Sequence, residues 1–99
     1  MWHNLGKITD IPKNTGRTFS LGTASIALFN LGGKFYAMQN ACIHRGGPLG
    51  EGSLVSGRVT CPWHAWEFDV KTGACSTLKG ATQKTYPTKT KNQEVFVEV

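Results

Sequence analysis

The sequence predicts an all-β fold, a small antiparallel β-sandwich with a two-loop subdomain set into it. Three observations carry that expectation. Gly is frequent at 12 and Pro present at 4, which leaves no long helix-forming run. Apolar residues alternate with polar ones, or face alternate sides, in several short segments. Gly32-Gly33 and Lys71-Thr72-Gly73 fall between such segments, where tight turns belong. The 99 residues suit one domain, spanning 1–99, and a hydrophobic content of 39% is that of a globular chain rather than a disordered one.

Taken in order, Leu5, Ile8 and Ile11 mark a short strand over 5–11, stopped by Pro12. A turn from Pro12 to Gly16 leads to a weak strand over 17–21. Residues 25–31 form the strongest strand, with Ile26, Leu28 and Asn30 on one face and Ala27, Phe29 and Leu31 on the other. Gly32-Gly33 supplies positive φ angles for a hairpin, and 34–39 returns with Phe35, Ala37 and Gln39 opposing Tyr36 and Met38. The run His44 to Gly52 is too rich in Gly and Pro for regular structure. A strand is expected over 54–60 through Gly57, another over 66–70, and a hairpin turn at 71–73 before a strand over 74–78. Residues 85–91 read as extended, with Pro87 placing them at an edge. Val95, Val97 and Val99 alternate with Phe96 and Glu98 in a final strand. The expected whole is two sheets, with the two-loop subdomain inserted as a pair of hairpins.

The formal net charge is +5, but the basic residues are spread thinly and form no stripe of the kind that binds nucleic acid. The exception is near the C-terminus, where Lys79, Lys84, Lys89 and Lys91 occur with no acid among them until Glu94. They read as a solvated face, with a docking patch for an acidic partner as the sharper alternative. No segment reaches the ~18 apolar residues of a membrane span, and no secretory signal is evident. Three cysteines are an odd count, which argues against a disulfide framework and for a reducing, cytoplasmic setting.

Two segments concentrate the metal-binding side chains. Cys42-Ile43-His44 and Cys61-Pro62-Trp63-His64 each offer one thiolate and one imidazole, as C-x-H and C-x-x-H, with sixteen residues between His44 and Cys61. Such a set can hold one zinc ion. It can equally hold a [2Fe-2S] cluster with both cysteines on one iron and both histidines on the other. Gly46-Gly47-Pro48 follows the first pair and Pro62 lies within the second. Loops of that composition leave backbone N–H groups free to face sulfur, which favours the cluster.

Cys42-Ile43-His44-Arg45-Gly46-Gly47-Pro48-Leu49 and Cys61-Pro62-Trp63-His64-Ala65-Trp66-Glu67-Phe68-Asp69, followed by Thr72-Gly73, resemble the two cluster-binding boxes of Rieske-type ferredoxins. The match covers about thirty residues in the middle of the chain. The resemblance implies a β-sandwich of the Rieske type with one [2Fe-2S] cluster at its tip. It also implies that Cys42 and Cys61 bind the inner iron and His44 and His64 the outer one. Zinc fits less well, since zinc boxes normally begin C-x2-C or longer.

Rieske subunits of cytochrome bc complexes carry an extra cysteine in each box, joined as a disulfide. Here Gly47 and Trp63 occupy those places. That branch also puts a serine and a tyrosine hydroxyl near the cluster, where this chain has Trp66 and Phe68. Hydrogen bonds to the sulfurs raise the potential, so their loss implies a value near the low end of the range, roughly −150 mV.

Among the remaining residues, His3 reads as a surface side chain and Cys75 as a buried free thiol. Trp66 and Phe68 are expected to pack beneath the site, Trp63 to shield its loop, and Pro48 to shape the first loop. Arg45 belongs either to ordinary solvation or to a contact with an acidic partner. The chain has no nucleotide loop, flavin fingerprint or mononuclear iron motif, so it reads as an electron-transfer component rather than an enzyme. The resemblance implies a soluble monomer passing single electrons from a flavin-dependent ferredoxin reductase to a terminal oxygenase, of the kind that hydroxylates aromatic rings. The alternative is a small subunit of a larger reductase, such as an assimilatory nitrite reductase.

Overall fold

A computed structural model describes residues 1–63 and 65–99. Among the described residues ten strands, all paired antiparallel, form three sheets, the two expected and a third, small one that is the inserted pair of hairpins. The first joins β1 (Trp2–Lys7), β10 (Glu94–Glu98) and β9 (Thr88–Lys91). The second runs β2 (Thr15–Leu21), β3 (Ala24–Leu31), β4 (Lys34–Gln39) and β8 (Thr85–Tyr86). The third, small sheet is β5 (Ser53–Val55), β6 (Arg58–Thr60) and β7 (Glu67–Asp69).

β3 is the wall between two cores. Ile26 and Leu28 face one, with Leu5, Ile11, Phe35, Ala37, Val95 and Val97. Ala27 and Phe29 face the other, with Met38, Leu49, Val59, Phe68 and Val70. The first core joins the first two sheets, and the second joins the β3–β4 hairpin to the third sheet. The two-faced pattern expected for 25–31 is therefore borne out, and the Gly32-Gly33 turn has the positive φ angles assigned to it. Asn30 is the buried polar residue of β3. Its Nδ2 donates to Ile11 O at 2.7 Å, and its Oδ1 accepts Gly33 N–H at 2.8 Å.

Five segments differ from expectation, the first three for a local reason. The strand over 5–11 starts at Trp2 and stops at Lys7, because Asp10 Oδ2 accepts Lys7 N–H and folds 8–10 into a 3-10 turn. The turn after Pro12 ends at Asn14, which lies in the left-handed region at φ 62°, so β2 begins at Thr15. The segment 54–60 is two strands, since Ser56 and Gly57 at φ 51° and 79° turn the chain back on itself. Residues 74–78 form no strand and make only the bridges Phe68–Cys75 and Ala74–Thr82. Residues 66–70 form a shorter strand than expected, β7, although Phe68 and Val70 are buried as the alternation requires.

Pro87 separates β8 from β9 at the point where the chain passes from the second sheet to the first. Both strands are edges, as a residue without an N–H demands. Val95 and Val97 are buried, but Val99 lies beyond β10 and is exposed. No helix among the described residues is long and apolar enough to cross a membrane.

Candidate metal centre

The first ligand segment leaves the end of β4, and the second leaves the end of β6. The two loops are built alike. In the first, Cys42 N–H donates to Gly47 O at 2.9 Å and Gly46 N–H donates to Cys42 O at 2.7 Å. In the second, Cys61 N–H donates to Trp66 O at 2.7 Å and Ala65 N–H donates to Cys61 O at 3.0 Å. Each cysteine thus bonds the residues four and five positions on. In each loop the fourth residue is left-handed, Gly46 at φ 76° and Ala65 at φ 59°. This curl turns the chain back onto its own cysteine and closes each ligand segment as a small ring.

The rings bring the two thiols together. Cys42 and Cys61 are both buried, and their side chains lie within hydrogen-bonding reach of one another. Burial pushes the Cys42 thiol up. The backbone N–H groups of His44 and Arg45, bonded to its sulfur, oppose the rise, and the Cys61 thiol adds to it. The same N–H groups would stabilise a thiolate bound to metal. Space at the thiols is tight: a Cβ on Gly47 would stand 2.6 Å from Cys61 Sγ and 3.2 Å from the Trp63 ring.

His44 reaches across from its own loop to the other. Its ring stacks on Trp66 with centroids 4.1 Å apart and planes within 6°. Trp66 therefore packs partly against the core, as expected, and also serves as a platform for the imidazole. His64, the fourth expected ligand, lies outside the described residues. Among the described residues, no three His, Cys, Asp or Glu side chains converge on a point that would hold a single ion. Two thiols in contact, soft donors with N–H groups around them, fit iron in a sulfide cluster.

The rim of the site is exposed. Ile43 and Trp63 keep 44% and 59% of their surfaces open, which places two large apolar side chains beside the ligands. Arg45 is exposed next to His44. Trp63 shields Gly47 on one side only and meets solvent on the other. Cys75 is buried in the same core as Cys42 and Cys61, and Leu78 N–H donates to its sulfur at 3.3 Å. His3 is half-buried on β1 opposite Val97, not the open surface residue expected. Lys84, Lys89 and Lys91 are exposed, with Lys89 Nζ 4.3 Å from the centre of the Trp2 ring.

Two buried amides escaped the sequence reading. Asn40 Oδ1 accepts Gly50 N–H at 2.8 Å and Thr18 Oγ1–H at 3.2 Å, tying the run after the first ligands to β2. Gln83 reaches the first ligand segment from the far end of the chain. Nothing in its polar neighbourhood, Thr82 to Thr85, marks it as buried.

Residues 1–90 match the Rieske [2Fe-2S] domain. The chain belongs to that family. Membership implies one [2Fe-2S] cluster, which sets zinc aside. The Rieske chain is 35% identical over 95 residues to the 3-phenylpropionate/cinnamic acid dioxygenase ferredoxin subunit of Escherichia coli strain K12, covering 93% of this chain and 88% of that one. It is 31% identical over 97 residues to methylxanthine N1-demethylase of Pseudomonas putida, covering 91% of this chain but only 27% of that longer protein. Among solved structures it is similar to a chain from the complex of reduced oxygenase and oxidized ferredoxin in carbazole 1,9a-dioxygenase. That likeness has a TM-score of 0.89 at 30% identity, over 97% of this chain and 91% of the other.

Proposed function

We propose that this Rieske chain is a soluble, cytoplasmic, low-potential ferredoxin of one domain, monomeric, whose cluster is held by Cys42, His44, Cys61 and His64. It takes single electrons from a flavin-dependent ferredoxin reductase and delivers them to a terminal oxygenase, of the class that hydroxylates aromatic rings. The observation that carries the reading is the paired loops, which bring two buried thiols together behind a solvent-facing rim. Support comes from the relatives, a dioxygenase ferredoxin subunit and a ferredoxin seen with its oxygenase.

When bound, the cluster accepts and releases one electron. The protein's own residues define the setting. Burial of Cys42 and Cys61 keeps water from the thiolates, and the N–H groups of His44 and Arg45 bonded to Cys42 offset added negative charge. Trp66 fixes the plane of His44. Ile43 and Trp63 give a partner an apolar surface to dehydrate on contact, and Arg45 gives it a positive charge to meet. No hydroxyl stands at Trp66 or Phe68 to raise the potential.

An anaerobic redox titration followed by EPR tests this. The expected protein is reddish-brown, gives a rhombic signal on reduction, and has a midpoint toward the low end of the Rieske range, roughly −150 mV. A midpoint well above zero would overturn the low-potential assignment. Copurification in fixed stoichiometry with a larger reductase would replace the shuttle with a permanent subunit.

A further inference from the structure

Gln83 is 1% exposed, and both ends of its side-chain amide bond the first ligand segment or the residues leading into it. Its Nε2 donates to Gln39 O and to Ala41 O, both at 2.7 Å. Its Oε1 accepts the N–H of Ile43 at 3.0 Å. Two carbonyls and one N–H therefore converge on a single amide, and only one orientation of that amide satisfies all three. Ile43 lies between Cys42 and His44, so the peptide that Gln83 grips is the one joining the first cysteine to the residue before the first histidine. Turning that peptide would turn the Cys42 carbonyl away from Gly46 N–H and open the ring around the thiol.

Gln83 is also anchored to the other side of the site. Its backbone N–H donates to Gly73 O at 2.8 Å. Gly73 N–H in turn donates to Asp69 O at 2.7 Å, at the end of β7, the strand that leaves the second ligand loop. Gly73 has a φ of 80°, and a Cβ there would lie 2.2 Å from Gln83 O, so the approach admits only glycine. One residue thus refers the first ligand segment to the strand carrying the second.

The geometry points to Gln83 as the positioning residue of the cluster site, an amide clamp that sets the peptide between Cys42 and His44 and holds it against the turn beyond β7. It does the work of a cross-link between the two halves without touching a ligand atom. This rests on the assignment of Cys42 and His44 as ligands.

The test uses the intact, cluster-loaded protein. Gln83→Met keeps the length and fills the core but offers neither donor nor acceptor. Gln83→Glu keeps the shape but sets a second acceptor oxygen against the Gln39 and Ala41 carbonyls in place of the two donors. Hydrogen–deuterium exchange is read by mass spectrometry over peptides covering 39–46, with peptides over 26–31 reporting the core. Release of iron to a chelator and the EPR line shape are followed in parallel. In Q83M, exchange at Ile43 should rise at least about tenfold, iron should leave at least about tenfold faster, and the EPR g-values should move, while 26–31 exchanges at the wild-type rate. In Q83E, whose second oxygen faces the two carbonyls that Nε2 had bonded, exchange at Ile43 and iron release should rise as in Q83M. Should Q83M not fold, Gln83→Asn, which withdraws the amide by one methylene, is read in the same way. A folded variant lacking the clamp that keeps wild-type exchange, release and g-values overturns the proposal. So does faster exchange spread equally over 26–31, which would make Gln83 a packing residue only. Wild-type protein without a cluster would instead overturn the ligand assignment beneath it.

Discussion

Gly47 offers the sharpest single perturbation. An alanine there would place its methyl 2.6 Å from Cys61 Sγ. Non-bonded carbon contacts settle at ~3.5–4.0 Å, so the sulfur or the first loop must retreat by about 1 Å. The Cys61 backbone is held by its bonds to Trp66 O and from Ala65 N–H, and the Gly47 carbonyl is held by Cys42 N–H. The displacement therefore falls on the thiol. Overpacking of this kind costs about 1–3 kcal/mol. For a domain of this size that lowers Tm by roughly 4–24 °C. Gly46→Ala is the matched control: Gly46 has φ 76° and no atom within 4 Å of its Cβ position. Its cost is conformational strain of about 1–2 kcal/mol, with the thiol left in place. Cluster absorbance per chain and thermal unfolding by circular dichroism separate the two. G47A should lose both cluster and Tm, whereas G46A should lose Tm and keep its cluster. Full cluster content and an unchanged Tm in G47A would refute the close approach on which this rests.

Two further substitutions address the second loop and the rim. Ala65 holds φ 59° with a side chain, so Ala65→Gly relieves about 1–2 kcal/mol of left-handed strain against about 0.4–1 kcal/mol of added chain entropy. Tm should rise slightly or hold, and a clear fall would show that the methyl has a packing role. Arg45→Glu reverses the exposed charge beside His44. Stopped-flow electron transfer to the oxygenase should slow, most at low ionic strength, while the visible and EPR spectra stay unchanged; equal rates would remove Arg45 from the docking contact.

Strand alternation was legible wherever a segment was long enough to show its period. β3 and β4 satisfy this, with six or more residues and a Gly-Gly turn between them. The three-residue strands β5 and β6 are too short to display one, and the single Gly57 looked like a bend in one strand rather than the corner of two. Residues 74–78 failed differently: Cys75 is buried and bridged to Phe68, but Gly73 and Ala81 take up neighbouring backbone bonds and no ladder extends. The cysteine–histidine boxes were plain because ligands of each loop are neighbours in the chain. Gln83 was not, because its partners lie some forty residues earlier and a polar side chain among lysines and threonines looks like surface. The stacking of His44 on Trp66 likewise depends on how two loops meet, which no local pattern encodes.

β3 poses a question of alignment. A strand with one wet face is held in register by polarity, since a slip of one residue would drown its apolar side chains and bury its polar ones. β3 has no wet face: Ile26, Ala27, Leu28 and Phe29 are all apolar and all buried, so a slip would cost little by that criterion. Size and one amide must hold it instead. Phe29 faces Gly16 across the ladder with its ring where a Cβ would be, 2.6 Å away, so only a glycine fits opposite it. Asn30 finds its acceptor and donor only at Ile11 and Gly33. Fidelity of folding in the central sheet therefore depends on a misfit and an unpaired amide, the errors a slipped chain would have to carry, rather than on the hydrophobic pattern that makes the strand recognisable.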